Sequence, residues 1–275
     1  MCLNNAMTSI KVSYSKPEFQ NAAEQLAIEI GLDIDALDPS QQCNINSPPD
    51  YHLNIGPEGL SLLPLPRSMH GPIMCQFEHG ANSHRRKYGG GNGQAIAKAV
   101  GLSGKFSPNV LDLTAGLGGD SFVLAGLGCR VKLLERNAIV HSLLRDGFLR
   151  AQHAAQYDSG LADAISRMQL HHTDAQRFLM ELTPDKYEDV IYLDPMFPER
   201  KKRAKVKKEM QAFHQIVGAD QDATDLLPLA LERARYRVVI KRPAKAAFLG
   251  GRQPSYSLEG KSTRFDIFAL RKLPV

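Results

Sequence analysis

The stretch Y-L-D-P-M-F-P at 192–198 carries the residue types with the clearest chemical meaning. Asp194 offers a carboxylate, Pro195 a backbone carbonyl and Phe197 a flat aromatic face. An amine on an aromatic ring is a poor nucleophile, because its lone pair is delocalised into the ring. Two acceptors for its N–H hydrogens favour a pyramidal nitrogen, and an aromatic platform holds the ring in place. A base inside a helix is out of reach, so such a target is flipped out or already unpaired. The protein's contribution would be positioning for in-line transfer, plus electrostatics. The bland alternative is a turn, with Asp and Pro in their usual places and Phe197 in a core.

A second set lies upstream, in V-L-D-L-T-A-G-L-G-G-D at 110–120. Gly116 and Gly118 let the chain turn tightly and bring bare backbone against a ligand. A dinucleotide site wants a third glycine where Ser121 stands, and its pyrophosphate would be repelled by Asp120 at the helix start. Asp112 and Asp120 instead suit a ligand without phosphate and with positive charge, such as the sulfonium and amine of S-adenosylmethionine. Glu135, in L-L-E-R, stands about 20 residues past the turn, where an acid accepts ribose hydroxyls. It also reads as a surface acid paired with Arg136. Asp174, in H-H-T-D-A, reads as a partner for an adenine amine or as a helix N-cap, and the two roles are compatible.

These residues need a scaffold that brings distant segments to one edge. Strands are predicted at 110–114, 130–134, 168–172, 190–193 and 237–240, alternating with helices at 94–100, 120–127, 138–153, 174–182 and 223–235. Such alternation implies a parallel sheet with helices on both faces. Segments 255–258 and 264–270 form a predicted antiparallel pair, with R-F-D-I-F at 264–268 as a buried strand carrying charge on one face. Residues 1–82 read as a separate mixed subdomain. It holds a strand at 11–15, a helix at 18–30 capped by Gly31, a hairpin from 51–55 and 60–63 ended by Pro64 and Pro66, and a strand at 73–77. The domain at 83–275 carries the chemistry, and G-G-G-N-G at 89–93 is a hinge or a close backbone approach.

The net charge of +5 is concentrated. R-K-K-R-A-K-V-K-K at 200–208 holds seven cations and no acid, and without them 27 cations face 29 acids. Arg200, Lys201, Lys202, Arg203, Lys205, Lys207 and Lys208 follow the Asp194 motif directly and suit an RNA backbone. Arg85, Arg86 and Lys87 form a second basic cluster, for RNA or a cofactor carboxylate. Both runs also read as solvated segments. Lys241 and Arg242 follow the predicted fifth strand and border the same face. Cys2, Cys43, Cys75 and Cys129 form no C-x-x-C pair, and His171 and His172 point to opposite faces of a strand, so no metal site is expected. Without an apolar run of about 20 residues or a secretory signal, the chain reads as soluble and cytoplasmic, with no membrane partner.

The glycine turn resembles motif I of class I methyltransferases, and D-P-M-F resembles the motif of enzymes that methylate exocyclic base amines. H-R-R-K-Y-G-G-G at 84–91, A-I-A-K-A-V-G at 95–101, T-A-G-L-G-G-D at 114–120, G-C-R-V-K-L-L-E-R-N at 128–137, Y-L-D-P-M-F-P at 192–198, V-K-K-E-M at 206–210 and V-V-I-K-R-P at 238–243 follow in order and spacing. Over about 52–270 the chain thereby resembles the RsmJ family of 16S ribosomal RNA guanine-N2 methyltransferases. The resemblance implies an α/β, Rossmann-like class I fold with a mostly parallel seven-stranded sheet and an antiparallel closing strand. It implies S-adenosylmethionine as donor, and 16S rRNA or the small ribosomal subunit as partner. It assigns cofactor contacts to Gly119, Asp120, Glu135, Arg136, Asp174, Ala175 and Asp194. The chain departs from the family at Gly119, often Arg, and at Asp174 and Ala175, often two serines. An adenine-N6 methyltransferase, and an RNA-binding assembly factor without chemistry, are the alternatives.

Overall fold

A computed structural model describes residues 10–36, 50–65, 70–80, 91–196, 216, 218 and 222–274. The chain divides into two compact units, Met1–Cys75 with Glu199–Gly218, and Gln76–Pro198 with Ala219–Val275.

The first unit holds a four-stranded sheet, built from β1 (Ile10–Tyr14), β2 (Ile34–Ala36), β3 (Asp50–Gly56) and β4 (Gly59–Leu65) in the order β2-β1-β3-β4. β1 runs parallel to β2 and β3, while β3 and β4 form an antiparallel hairpin. Between β1 and β2 lies α1 (Gln20–Ile30), which buries Ala23, Leu26 and Ala27 and ends at Gly31 in the left-handed conformation. Two expectations are corrected. Pro64 does not end the hairpin: β4 continues to Leu65, with Pro64 opposite Tyr51. An edge strand tolerates a residue that cannot donate to a ladder. The strand expected at 73–77 shrinks to one bridge between Ile73 and Leu62.

The second unit is a seven-stranded sheet. Its strands are β5 (Asn109–Asp112), β6 (Arg130–Glu135), β7 (Met168–His172), β8 (Val190–Leu193), β9 (Arg237–Pro243), β10 (Tyr256–Glu259) and β11 (Thr263–Ala269), ordered β10-β11-β9-β8-β5-β6-β7. β5 to β9 pair in parallel, and β11 is antiparallel to both β9 and β10. This is the expected class I arrangement. Its helices are α2 (Ala95–Val100), α3 (Gly119–Gly126), α4 (Ala138–Ala154), α5 (Ser159–Ser166), α6 (Ala175–Glu181) and α7 (Ala223–Arg233).

Side chains two apart on a strand share a face. Leu111 and Leu113, Ile191 and Leu193, and Val238 and Ile240 accordingly enter one cluster with Leu179 of α6 and Leu226, Leu227 and Ala230 of α7. Their neighbours Val110, Tyr192 and Val239 are buried too, so both faces of the sheet are covered. Phe77 packs on Phe122 of α3 and edge-on to Phe148 of α4. The charged face expected in R-F-D-I-F is present and paired. Buried Arg264 donates to both carboxylate oxygens of Asp266, at 2.7 and 3.0 Å. Strand β9 is longer than the expected 237–240, because β11 pairs with it as far as Pro243 opposite Thr263. Lys241 and Arg242 therefore lie within the sheet, not beyond it.

Candidate active site

The glycine turn begins where β5 stops pairing. Ala115 donates its N–H to Leu134 O, and Gly118 N–H closes a turn onto Ala115 O at 2.8 Å. Gly116 and Gly118 have φ of +55° and +72°, a backbone region that disfavours side chains. A Cβ at Gly118 would meet Leu144 Cδ1 at 2.9 Å and Phe77 Cζ at 3.1 Å, whereas one at Gly116 would meet nothing within 4 Å. Gly118 lets the turn pack against the core, and Gly116 presents bare backbone to open space. Gly119 and Asp120 then open α3.

Two buried carboxylates hold this turn from inside. Asp112, 2% exposed, accepts the Thr114 N–H at 3.1 Å and the Ser121 hydroxyl at 2.6 Å. Burial, only partly offset by those two bonds, raises its pKa to about 7. Glu135, the last residue of β6, accepts the Gly116 N–H at 3.0 Å and the Asn137 N–H at 2.7 Å. A carboxylate has about four acceptor positions, and these two amides fix its plane at the turn.

β5 pairs with β8 in the register Asp112 to Tyr192, so the residues just past both strands come level. Leu113 N–H donates to Tyr192 O, and Asp194 N–H donates to the Thr114 hydroxyl at 2.7 Å. The start of the D-P-M-F-P loop is thereby tied to the glycine turn. Asp194 is 40% exposed at its side chain, and Pro195 is buried.

Lys241 completes the arrangement. Its ammonium lies 2.7 Å from Asp120 Oδ2 and 2.7 Å from Asp194 Oδ2. Burial disfavours its charge, but the Asp194 and Asp120 carboxylates outweigh that and raise its pKa above the ordinary lysine value. The Tyr192 hydroxyl donates to Asp120 Oδ2 at 2.7 Å. Burial, together with Asp120 and Asp194, raises the phenol's pKa, so it stays a donor.

A second group lies past β6 and β7. Asp174 caps α6, accepting the Arg177 N–H at 3.0 Å, and Ala175 is buried behind it. Arg136 NH1 is 3.7 Å from Asp174 Oδ2, and its two terminal nitrogens form a fork onto Asp222, whose pKa that hydrogen bond lowers. His172 stacks on His141 at 4.4 Å between ring centroids.

The structure thus brings together Asp112, Gly116, Gly118, Gly119, Asp120, Glu135 and Asp194 around one turn, and Arg136, Asp174 and Ala175 beside one another. Phe197, Arg85, Arg86, Lys87 and the run 200–208 lie outside the described residues. The clamp formed by Lys241 was not predicted, nor were the Thr114 and Asp222 contacts. Among the described residues there is no cluster of three or more His, Cys, Asp or Glu able to hold a metal ion, and Cys75 and Cys129 are buried thiols outside any disulfide. No helix among them is long and apolar enough to cross a membrane.

The family described as "Putative SAM-dependent methyltransferase" matches residues 39–270. A protein from Cellvibrio japonicus named ribosomal RNA small subunit methyltransferase J is 51% identical over 94% of this chain and 96% of its own length. One of the same name from Hahella chejuensis is 46% identical over 96% of each chain. The crystal structure of a SAM-dependent methyltransferase from Neisseria gonorrhoeae is 32% identical, covers 94% of this chain and 95% of its own, and superposes with a TM-score of 0.69. With its turn of glycines and carboxylates at the end of a class I sheet, the chain belongs to the ribosomal RNA small subunit methyltransferase J family of S-adenosylmethionine-dependent methyltransferases.

Proposed function

We propose that this enzyme methylates the exocyclic N2 amine of a guanosine in 16S rRNA, free or in the small subunit, in the cytoplasm. The observation that carries this reading is the 2.7 Å bond from Asp194 N–H to the Thr114 hydroxyl, which sets an amine-accepting loop against the glycine turn. The residues at the turn fit S-adenosylmethionine. Bare backbone at Gly116 faces open space, a carboxylate rather than a phosphate-binding amide row marks the helix start, and Glu135 stands at the end of the adjacent strand.

When bound, this cofactor supplies a methyl group made electrophilic by its sulfonium. Glu135 accepts the ribose hydroxyls, held in plane by Gly116 and Asn137 N–H. Arg136, Asp174 and Ala175 border the adenine. Gly119 and Asp120 line the wall nearer the helix start. Asp112, enclosed beneath the turn, acts by bracing it. Asp194 and the Pro195 carbonyl accept the N–H hydrogens of the target amine, which turns its lone pair toward the methyl group, and Phe197 stacks on the base. Asp194 need not be a strong base, because an aromatic amine holds its protons tightly until it is alkylated. The work is positioning, the effect that most lowers such a barrier. Arg85, Arg86, Lys87 and the cations of 200–208 supply positive charge for the RNA phosphates.

The test is transfer of a labelled methyl group from S-adenosylmethionine to small subunits from cells lacking the enzyme, followed by digestion and mass analysis of the nucleosides. N2-methylguanosine is the expected product. Label in N6-methyladenosine would replace guanine with adenine as the target, and no transfer to RNA would leave the assembly-factor alternative.

A further inference from the structure

We propose that Lys241 is a positioning residue for methyl transfer, its ammonium clamping Asp194 against Asp120 so that the Asp194 carboxylate stays charged and aimed at the amine. The inference rests on the role proposed above for Asp194.

The register explains why a lysine far along the chain arrives here. Ile240 pairs with Leu193, so the next residue of β9 comes level with the residue just past β8. The Thr114 bond fixes the backbone of Asp194 but leaves its side-chain torsions unset. The lysine contact at 2.7 Å sets the carboxylate itself. Its other contact is anchored in turn: Asp120 sits in the first turn of α3 and accepts the Tyr192 hydroxyl. The linked groups Tyr192, Asp120, Lys241 and Asp194 thus tie a helix start and two strands to one reacting atom.

Charge matters as much as direction. An ionised carboxylate only accepts hydrogen bonds, whereas a protonated one presents a hydrogen to the amine it should receive. Among the described residues, the groups facing this point include Asp112 from β5, Asp120 from α3, Tyr192 from β8 and Lys241 from β9, whose charge offsets the neighbouring acids. Without it, mutual repulsion makes one carboxylate easier to protonate. The clamp is part-exposed, with Lys241 at 28% and Asp194 at 40%, so its loss falls mainly on catalysis and little on folding.

The test uses the full-length enzyme with Lys241→Met and Lys241→Arg. Rates of methyl transfer to small subunits are measured from about pH 5 to about pH 9 at saturating cofactor, beside cofactor affinity and melting temperature. Lys241→Met is expected to lower kcat at neutral pH by about 10- to 100-fold, with KM for the subunit changed less than about threefold. Its acid limb should move to higher pH, the direction a carboxylate takes on losing a neighbouring cation, while the loss at neutral pH reflects a carboxylate no longer aimed. Lys241→Arg should restore most of the rate and the original limb. A Lys241→Met profile that keeps the wild-type shape would overturn the proposal, as would a loss confined to cofactor affinity. If Asp194→Ala is inactive while Lys241→Met behaves as wild type, this inference fails alone. If Asp194→Ala is fully active, the role of Asp194 fails first.

Discussion

At the residue scale, the site is organised by carboxylates whose surroundings give them different tasks. Asp112 is enclosed, and its pKa of about 7 lies well above the ordinary 3.8. A raised pKa means that the folded state binds the proton more tightly than the unfolded chain. The associated stability is complete below about pH 4 and is lost as pH rises to about 7. Asp112→Asn removes this titration while keeping an acceptor for the Thr114 N–H. Its stability relative to wild type should therefore climb by up to about 4 kcal/mol between pH 4 and pH 7, then level off. Denaturant melts across that range check this; a pH-independent difference would mean that Asp112 stays charged throughout. Asp112, Glu135 and Asp194 were legible in the sequence because each follows an apolar strand run, Asp112 four residues before Gly116 and Asp194 directly before Pro195. Lys241 was noticed only as a neighbour of the same face. Its partners lie 47 and 121 residues away, and only the pairing of β8 with β9 brings them together.

At the scale of elements, the two turn glycines do separate work. Alanine at either position pays about 1–2 kcal/mol for a left-handed backbone. At Gly118 the added methyl also meets Leu144 and Phe77, an overpacking worth about a further 1–3 kcal/mol. At Gly116 it meets nothing within 4 Å and extends into open space. Gly118→Ala should thus be the less stable variant in urea, and Gly116→Ala the weaker binder in a cofactor titration. The opposite ranking would mean that the turn faces the other way. Helix α5 escaped the sequence reading because its apolar positions Leu161, Ala164 and Ile165 span barely one turn. Asp158, which accepts the Leu161 N–H as its N-cap, was the available signal. Val190–Leu193 was legible to the residue, because a strand buried on both faces is one uninterrupted apolar run.

At the scale of the whole molecule, strand order makes the active site. From β5 the chain builds outward through β6 to β7, then crosses back to place β8 on the other side of β5. Connections diverge there, leaving a crevice beyond the strand ends where open α/β sheets bind ligands. The glycine turn follows β5 and the Asp194 loop follows β8, so the two segments proposed to hold the donor and the amine lie side by side at the switch point. Periodicity implied the strands and their parallel run, and the family resemblance an antiparallel closing strand; neither gave the strand order, which depends on pairing between distant segments. From this position Asp194 is proposed to act on the incoming amine. Asp194→Ala tests it through two readouts on one protein, cofactor affinity by titration and methyl transfer to small subunits in a single turnover. Cofactor affinity should stay within about tenfold of wild type while the transfer rate falls at least about 100-fold. Undiminished transfer would contradict the account.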